Sequence, residues 1–92
     1  MYVLEFHPAA LRELRHLRRG IPQATYGELE GAISGLADNP RPEGFRHVVN
    51  TPYLRIRVAR VYRVIYQVDE EARHVVVVRV ARRGEATYHG LP

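Results

Sequence analysis

Hydrophobic positions change their spacing along this chain, and the changes divide it into a helical half and a strand half. Tyr2 to Phe6 is rich in bulky side chains that alternate, the period of a strand. From Pro8 the period lengthens: Leu11, Leu14 and Leu17 form an apolar stripe, while Arg12, Arg15, Arg18 and Arg19 lie mostly off it. Pro8 suits the first turn of that helix, where its missing N–H has no partner to lose, and Gly20 ends it. Pro22 opens a second helix, in which Leu29, Ala32, Ile33 and Leu36 recur at i, i+3, i+4 and i+7. Asn39-Pro40-Arg41-Pro42 stops it, because a residue before proline avoids helical geometry.

Beyond these prolines the pattern is that of strands. Phe45 to Val49 is a short candidate, placed near a sheet edge by Pro52. Leu54, Ile56 and Val58 alternate with Arg55 and Arg57, the clearest two-residue period in the chain. Tyr62 to Val68 and His74 to Ala81 are apolar on both parities, as central strands are, and Asp69-Glu70-Glu71 marks the turn between them. The order β-α-α-β-β-β-β predicts an α+β fold, two N-terminal helices packed on one face of a small, mostly antiparallel sheet. A chain of 92 residues buries about 60–65% of its unfolded surface, so one domain spanning residues 1–92 is expected.

Side-chain matching argues for a register, since a slip of one residue exchanges the two faces of a strand. With Ala59-Arg60-Val61 as the loop, Val58 meets Tyr62, Ile56 meets Val64 and Leu54 meets Tyr66, which makes one face apolar throughout. Arg57 then stands opposite Arg63 on the other face. In the next hairpin, pairing Val68 with His74 sets Tyr66 against Val76, Val64 against Val78 and Arg63 against Arg79. The expected result is a row of arginines, Arg57, Arg63 and Arg79, facing away from the helices. Like charges in direct opposition destabilise a sheet by roughly 0.2–1 kcal/mol each, and a bound anion would relieve them.

Charge sharpens this picture. The net charge is +4, with five Arg against six acids in residues 1–43 and nine Arg against four acids thereafter. The basic half suggests a polyanion or a strongly acidic protein as partner. All fourteen Lys-plus-Arg residues are Arg, a usage that biased genomic composition also produces, so position carries the argument. With no cysteine, disulfides, thiolate nucleophiles and thiolate metal sites are excluded. MYVLEF carries neither a basic leader nor a long apolar run, so the cytoplasm is the expected location and no membrane is involved.

The run YLRIRVARVYRVIYQVDEE followed by VVVVRVARRGEATY resembles the RelE/ParE toxin superfamily of bacterial and archaeal type II toxin–antitoxin systems. YVLEFHPAALRELRHL and ISGLADNPRP are similar to that family's opening strand, first helix and segment before the sheet, so the resemblance covers nearly the whole chain. It implies a RelE-like fold and, for RelE-type members, a metal-free and cofactor-free ribonuclease that cuts messenger RNA in the ribosomal decoding site. The matching positions are Arg55 and Arg57, Arg63 of the Tyr-Arg element, Arg83 after the last strand, and Tyr88. Arginine stands where some members carry lysine. The resemblance also implies a small acidic antitoxin that wraps and neutralises the domain, and contact with DNA only through that antitoxin. ParE-type members share the fold but poison DNA gyrase without ribonuclease activity, which is the alternative; a third reading is an inactive relative that only binds.

RNA cleavage without metal needs a deprotonated 2′-hydroxyl, a stabilised phosphorane and a protonated 5′-oxygen leaving group. Guanidinium groups serve the second task and, being always protonated, serve the others poorly. The expectation is therefore that Arg57, Arg63 and Arg83 bind phosphate and stabilise charge, Arg55 positions RNA, and Tyr88 transfers a proton. His89 and His47 are candidate proton donors. Arg79 either binds RNA or docks an acidic partner, and Arg63 has a competing reading as an ion pair with Glu5 or Glu85. No carboxylate–histidine spacing argues for a metal site.

Overall fold

A computed structural model describes residues 1–84 and Leu91; Glu85, Tyr88 and His89 lie outside the described residues. The elements are β1 (Val3–Phe6), α1 (Pro8–Gly20), α2 (Gln23–Gly35), β2 (Arg46–His47), β3 (Leu54–Val58), β4 (Tyr62–Asp69) and β5 (His74–Arg82). Pro8 opens α1 and the His7 ring caps it, its Nδ1 accepting from the Ala9 N–H at 3.1 Å. Arg18 and Arg19 in the last turn face the negative end of the helix dipole. In α2, Leu29 and Ile33 are buried on the face turned to the sheet.

The sheet order is β1-β5-β4-β3-β2, with β1 parallel to β5 and the other neighbours antiparallel. The first and last strands thus lie side by side, and both helices cover one face. The main core joins Ala10, Leu29, Ile33 and Leu36 to Leu54, Ile56, Val58, Tyr62, Val64, Tyr66, Val75, Val77 and Val80. A smaller cluster of Tyr53, Ile65 and Val78, with Leu91 packed on it, occupies the opposite face. Among the described residues no helix is long and apolar enough to cross a membrane.

The register between β3 and β4 is the expected one, including Arg57 opposite Arg63. That between β4 and β5 differs. Val68 pairs with Val75 rather than His74, and a bulge at Ile65/Tyr66 shifts the ladder again, so that Val64 meets Val80 and Arg63 meets Ala81. The run Val75 to Val78 is apolar on both parities and cannot specify a register by itself; the bulge absorbs the extra residue and lets Val77 and Val80 both face the core. Arg79 therefore stands opposite Ile65, and the expected three-arginine row stops at Arg63.

Two strands outrun their neighbours. β1 pairs with β5 only from His74 to Val77, and β2 pairs with β3 only at Leu54 and Arg55. Past the end of β1, the edge of β5 is closed by a side chain of α1: the Val80 N–H donates to Glu13 Oε1 at 2.8 Å, while Arg79 Nε donates to Glu13 Oε2 at 2.9 Å. The connection from α2 to β2 is held down separately. Buried Tyr66 donates its hydroxyl to the Pro40 carbonyl at 2.6 Å, and Glu70 accepts from Arg41 at 2.6 Å and from the Tyr2 hydroxyl at 2.8 Å.

Candidate functional site: an arginine face on the sheet

Cross-strand pairing builds the site. Paired residues of an antiparallel ladder point to the same face, with Cα atoms about 4.5–5.5 Å apart. Arg57 and Arg63 form one such pair, and Arg46 of β2 with Arg55 of β3 forms a second. Because Arg55 and Arg57 share a parity on β3, all four project from the face opposite the helices. Arg46 was not singled out from sequence; the signal was its place in the short edge strand, but a two-residue strand has too little pattern to set a register.

The members differ in setting. Arg63 is half-buried, and its Nε is fully enclosed. Arg55 is half-buried and Arg57 exposed, and Arg57 makes no hydrogen bond or ion pair among the described residues. Arg46 is exposed, with one guanidinium nitrogen donating to the Phe45 carbonyl at 2.9 Å. Arg83 joins them through its backbone: its N–H donates to the Val61 carbonyl, which pins it beside the β3–β4 loop at the Arg57–Arg63 end of the sheet. In that loop Ala59 and Arg60 have φ of 51° and 67°, left-handed conformations that cost non-glycine residues roughly 1–2 kcal/mol each. Arg60 is exposed there and adds another cation to this end.

Other expected residues fall elsewhere. Arg79 is engaged by Glu13 on α1, Nε and Nη2 each lying 2.9 Å from Oε2. His47 sits on β2 at the sheet edge, exposed, with its ring edge-on to Phe45 at 5.6 Å. The proposed Arg63–Glu5 pair is overturned: Glu5 is on β1, two strands from β4, and its carboxylate lies 2.6 Å from His74 Nδ1. Tyr88 and His89 lie outside the described residues, as does the Glu85 alternative.

Acidic groups collect at the far end of the sheet. Asp69, Glu70 and Glu71 surround the β4–β5 turn, and the Glu70 carboxyl is held below its ordinary value first by the hydrogen bond from Arg41 and then by that from Tyr2. Burial pushes the Tyr66 hydroxyl up to about 12, so it remains a neutral donor to Pro40. No three His, Asp or Glu side chains among the described residues converge as metal ligands do. What the arginine face can do is accept oxyanions: planar, permanently charged forks approached from one side match phosphate oxygens in pairs.

The family model described as "ParE toxin of type II toxin-antitoxin system, parDE" matches residues 4–87. Among solved structures, the chain is similar to the toxin in the intact Escherichia coli RelBE toxin–antitoxin complex, at 26% identity and a TM-score of 0.70, over 88% of this chain and 95% of that one. It is similar also to the archaeal RelE–RelB complex of Pyrococcus horikoshii (23% identity, TM-score 0.73, 92% and 98% covered). The YoeB/ParE toxin of Agrobacterium tumefaciens follows at 14% identity and a TM-score of 0.73, with 88% and 98% covered. Those last two likenesses speak for the fold alone. No curated protein matches the sequence.

Proposed function

The chain belongs to the ParE toxin family of type II toxin–antitoxin systems, and from that premise we propose that it is a metal-free, ribosome-dependent endoribonuclease that cuts messenger RNA and stops translation. The observation that carries this reading is the direct opposition of Arg57 and Arg63, with Arg83 fastened at the same end of the sheet. Three arginines brought to one end of the sheet suit a phosphorane, whose extra negative charge develops on its equatorial oxygens.

The roles we assign are these. Arg57, Arg63 and Arg83 bind the scissile phosphate and stabilise its transition state, and Arg55, with Arg46 across from it, positions RNA along β3. Tyr88 transfers a proton, neighbouring cations favouring its phenolate; His47 and His89 are the candidate donors to the leaving 5′-oxygen. Arg79 is assigned to holding α1 on the sheet rather than to RNA. The work takes place in the cytoplasm on the ribosome, and a small acidic antitoxin holds the domain silent, with DNA reached only through that antitoxin.

A second reading, a gyrase poison with no reaction of its own, draws on the family model, which carries the ParE description. One experiment separates them: purified protein is added to translating ribosomes programmed with a defined message, and in parallel to gyrase with supercoiled DNA. Cleaved message in the first reaction is the expected outcome. Intact message with accumulating gyrase–DNA complexes assigns the protein to the second class.

A further inference from the structure

Past Phe6, where β1 ends beside Val77, the edge of β5 has α1 for its neighbour instead of a strand. A groove lies between the two, and the Glu13 side chain divides it by reaching across to Arg79 and the Val80 N–H. On one side of that crossing is a cavity of about 390 Å³ bordered by Ala9 and Arg12. On the other is a cavity of about 340 Å³ bordered by His16, Gly20, Ile21 and Arg82. Among the described residues Glu13 is the one acid that lines either cavity, and its two oxygens are already taken.

The cations around the groove are uncommitted. The side chains of Arg12, His16, Arg19 and Arg82 are exposed and make no hydrogen bond or ion pair among the described residues. Arg12, His16 and Arg19 stand at i, i+4 and i+7, so they share one side of α1, with the two arginines about 10 Å apart along its axis. Arg82 faces them from β5: it pairs with the core residue Tyr62 and so projects to the helix side of the sheet. One residue further on, Arg83 is fastened at the Arg57–Arg63 end, so the groove runs on from the phosphate-binding end of the molecule. Its floor is apolar, made by Leu17, Ile21 and Val80, and no aromatic ring lines it among the described residues. Such a surface grips a backbone of repeated negative charge and offers bases no stacking platform.

We propose that the groove between α1 and the free edge of β5 is a second phosphate track, which holds an RNA backbone beside the cleavage site through Arg12, Arg19 and Arg82. The proposal rests on the ribonuclease reading above and deepens it. Contacts to phosphate fix register and orientation and carry no sequence information, so the track adds affinity without choosing the codon. The backbone it holds has two sources of the same chemistry, the message itself and ribosomal RNA. Glu13 keeps the track open at its centre, because its ion pair with Arg79 ties α1 to β5 and spends the one carboxylate that would repel a phosphate there.

The test uses Arg12→Gln, Arg19→Gln and Arg82→Gln in the full-length chain, each removing one exposed charge from the groove. Arg18→Gln is the control: it removes the same charge from the last turn of α1 but on the flank turned to α2, where Arg18 lies with Gln23 and Tyr26. Two probes are titrated at several salt concentrations: a single-stranded RNA of about twelve nucleotides made uncuttable by 2′-O-methyl riboses, and vacant ribosomes without message. Each groove variant is expected to bind at least one probe roughly threefold or more weakly and to lower the salt slope by about 0.7, the share of one phosphate contact on a single strand. Arg18→Gln is expected to match wild type in both respects. Loss on the oligonucleotide assigns the track to the message, and loss confined to vacant ribosomes assigns it to ribosomal RNA. Groove variants that bind both probes like wild type overturn the proposal, and so does an equal loss in Arg18→Gln, which would make the effect one of overall charge. Cleavage of message on translating ribosomes is read separately. Wild-type protein that shows the groove-dependent binding but leaves message intact removes the ribonuclease reading and keeps the track, whereas wild-type protein that binds neither probe removes both.

Discussion

Glu13→Ala should destabilise the domain well beyond an ordinary surface substitution on α1. The carboxylate spans helix and sheet: one oxygen accepts from Arg79, the other from the Val80 N–H at 2.8 Å. Side-chain exposures of 20% for Arg79 and 24% for Glu13 leave water limited access to either. Truncation removes two charge-assisted contacts and abandons a half-buried guanidinium and a strand amide. Hydrogen bonds to charged groups contribute about 1.5–3 kcal/mol each, and allowing for the water that can still enter, the loss comes to about 2–3.5 kcal/mol. A domain of this length holds about 5–14 kcal/mol in total. The midpoint of thermal unfolding should therefore fall by roughly 10–20 °C. Glu13→Gln keeps an acceptor for Val80 and should lose about half as much. Urea unfolding followed by far-ultraviolet circular dichroism measures both, with an unchanged slope as the sign that the denatured state is the same. An alanine variant within about 0.5 kcal/mol of wild type would refute the reasoning, because that is the range of an ordinary surface substitution.

Arg63→Ala and Arg83→Ala should each abolish growth inhibition while the purified proteins keep their circular dichroism spectrum and bind antitoxin; two variants that still arrest growth remove both residues from the site. Tyr88→Phe should slow single-turnover cleavage by roughly 10²–10⁴-fold if the phenol moves a proton, and a rate near wild type leaves it without that role. The Glu70 carboxyl, held below its ordinary value of 4.5 by Arg41 and Tyr2, contributes stability that is fully present above that value and is lost as pH falls through the lowered folded value. Glu70→Gln should consequently flatten the acid limb of a stability–pH curve, and an unaltered limb would show that the clasp contributes nothing there.

Much of the architecture could be read directly from residue spacing. Pro8 and Gly20 bounded α1, the Asn39-Pro40 pair closed α2, and the Leu54–Val58 alternation fixed both strand and face. The pairing of Arg57 with Arg63 followed from matching apolar residues, since only one register kept the core face dry. Arg79 was misplaced for a physical reason: four successive valines satisfy either face, so nothing local reveals the bulge that turns the ladder. Arg46 escaped notice because its strand is too short to carry a period. Glu13 gave no sequence signal either, for its task is set by where β1 happens to end, which is a tertiary fact.

The parallel union of β1 with β5 bears on how such a protein can be made in a cell that it harms. Val3 takes its place only beside His74, and Phe6 only beside Val77. A contact spanning most of the chain is costly to close, because the intervening loop must be gathered before the pairing is rewarded. During synthesis the opening strand and both helices emerge first and wait without the strand that completes them. The arginine face shares this dependence, since Arg63 lies on β4 against β5 and Arg83 follows β5. A nascent copy therefore lacks its assembled arginine face, and the interval before its last strand is released is one in which an antitoxin already present can be at hand.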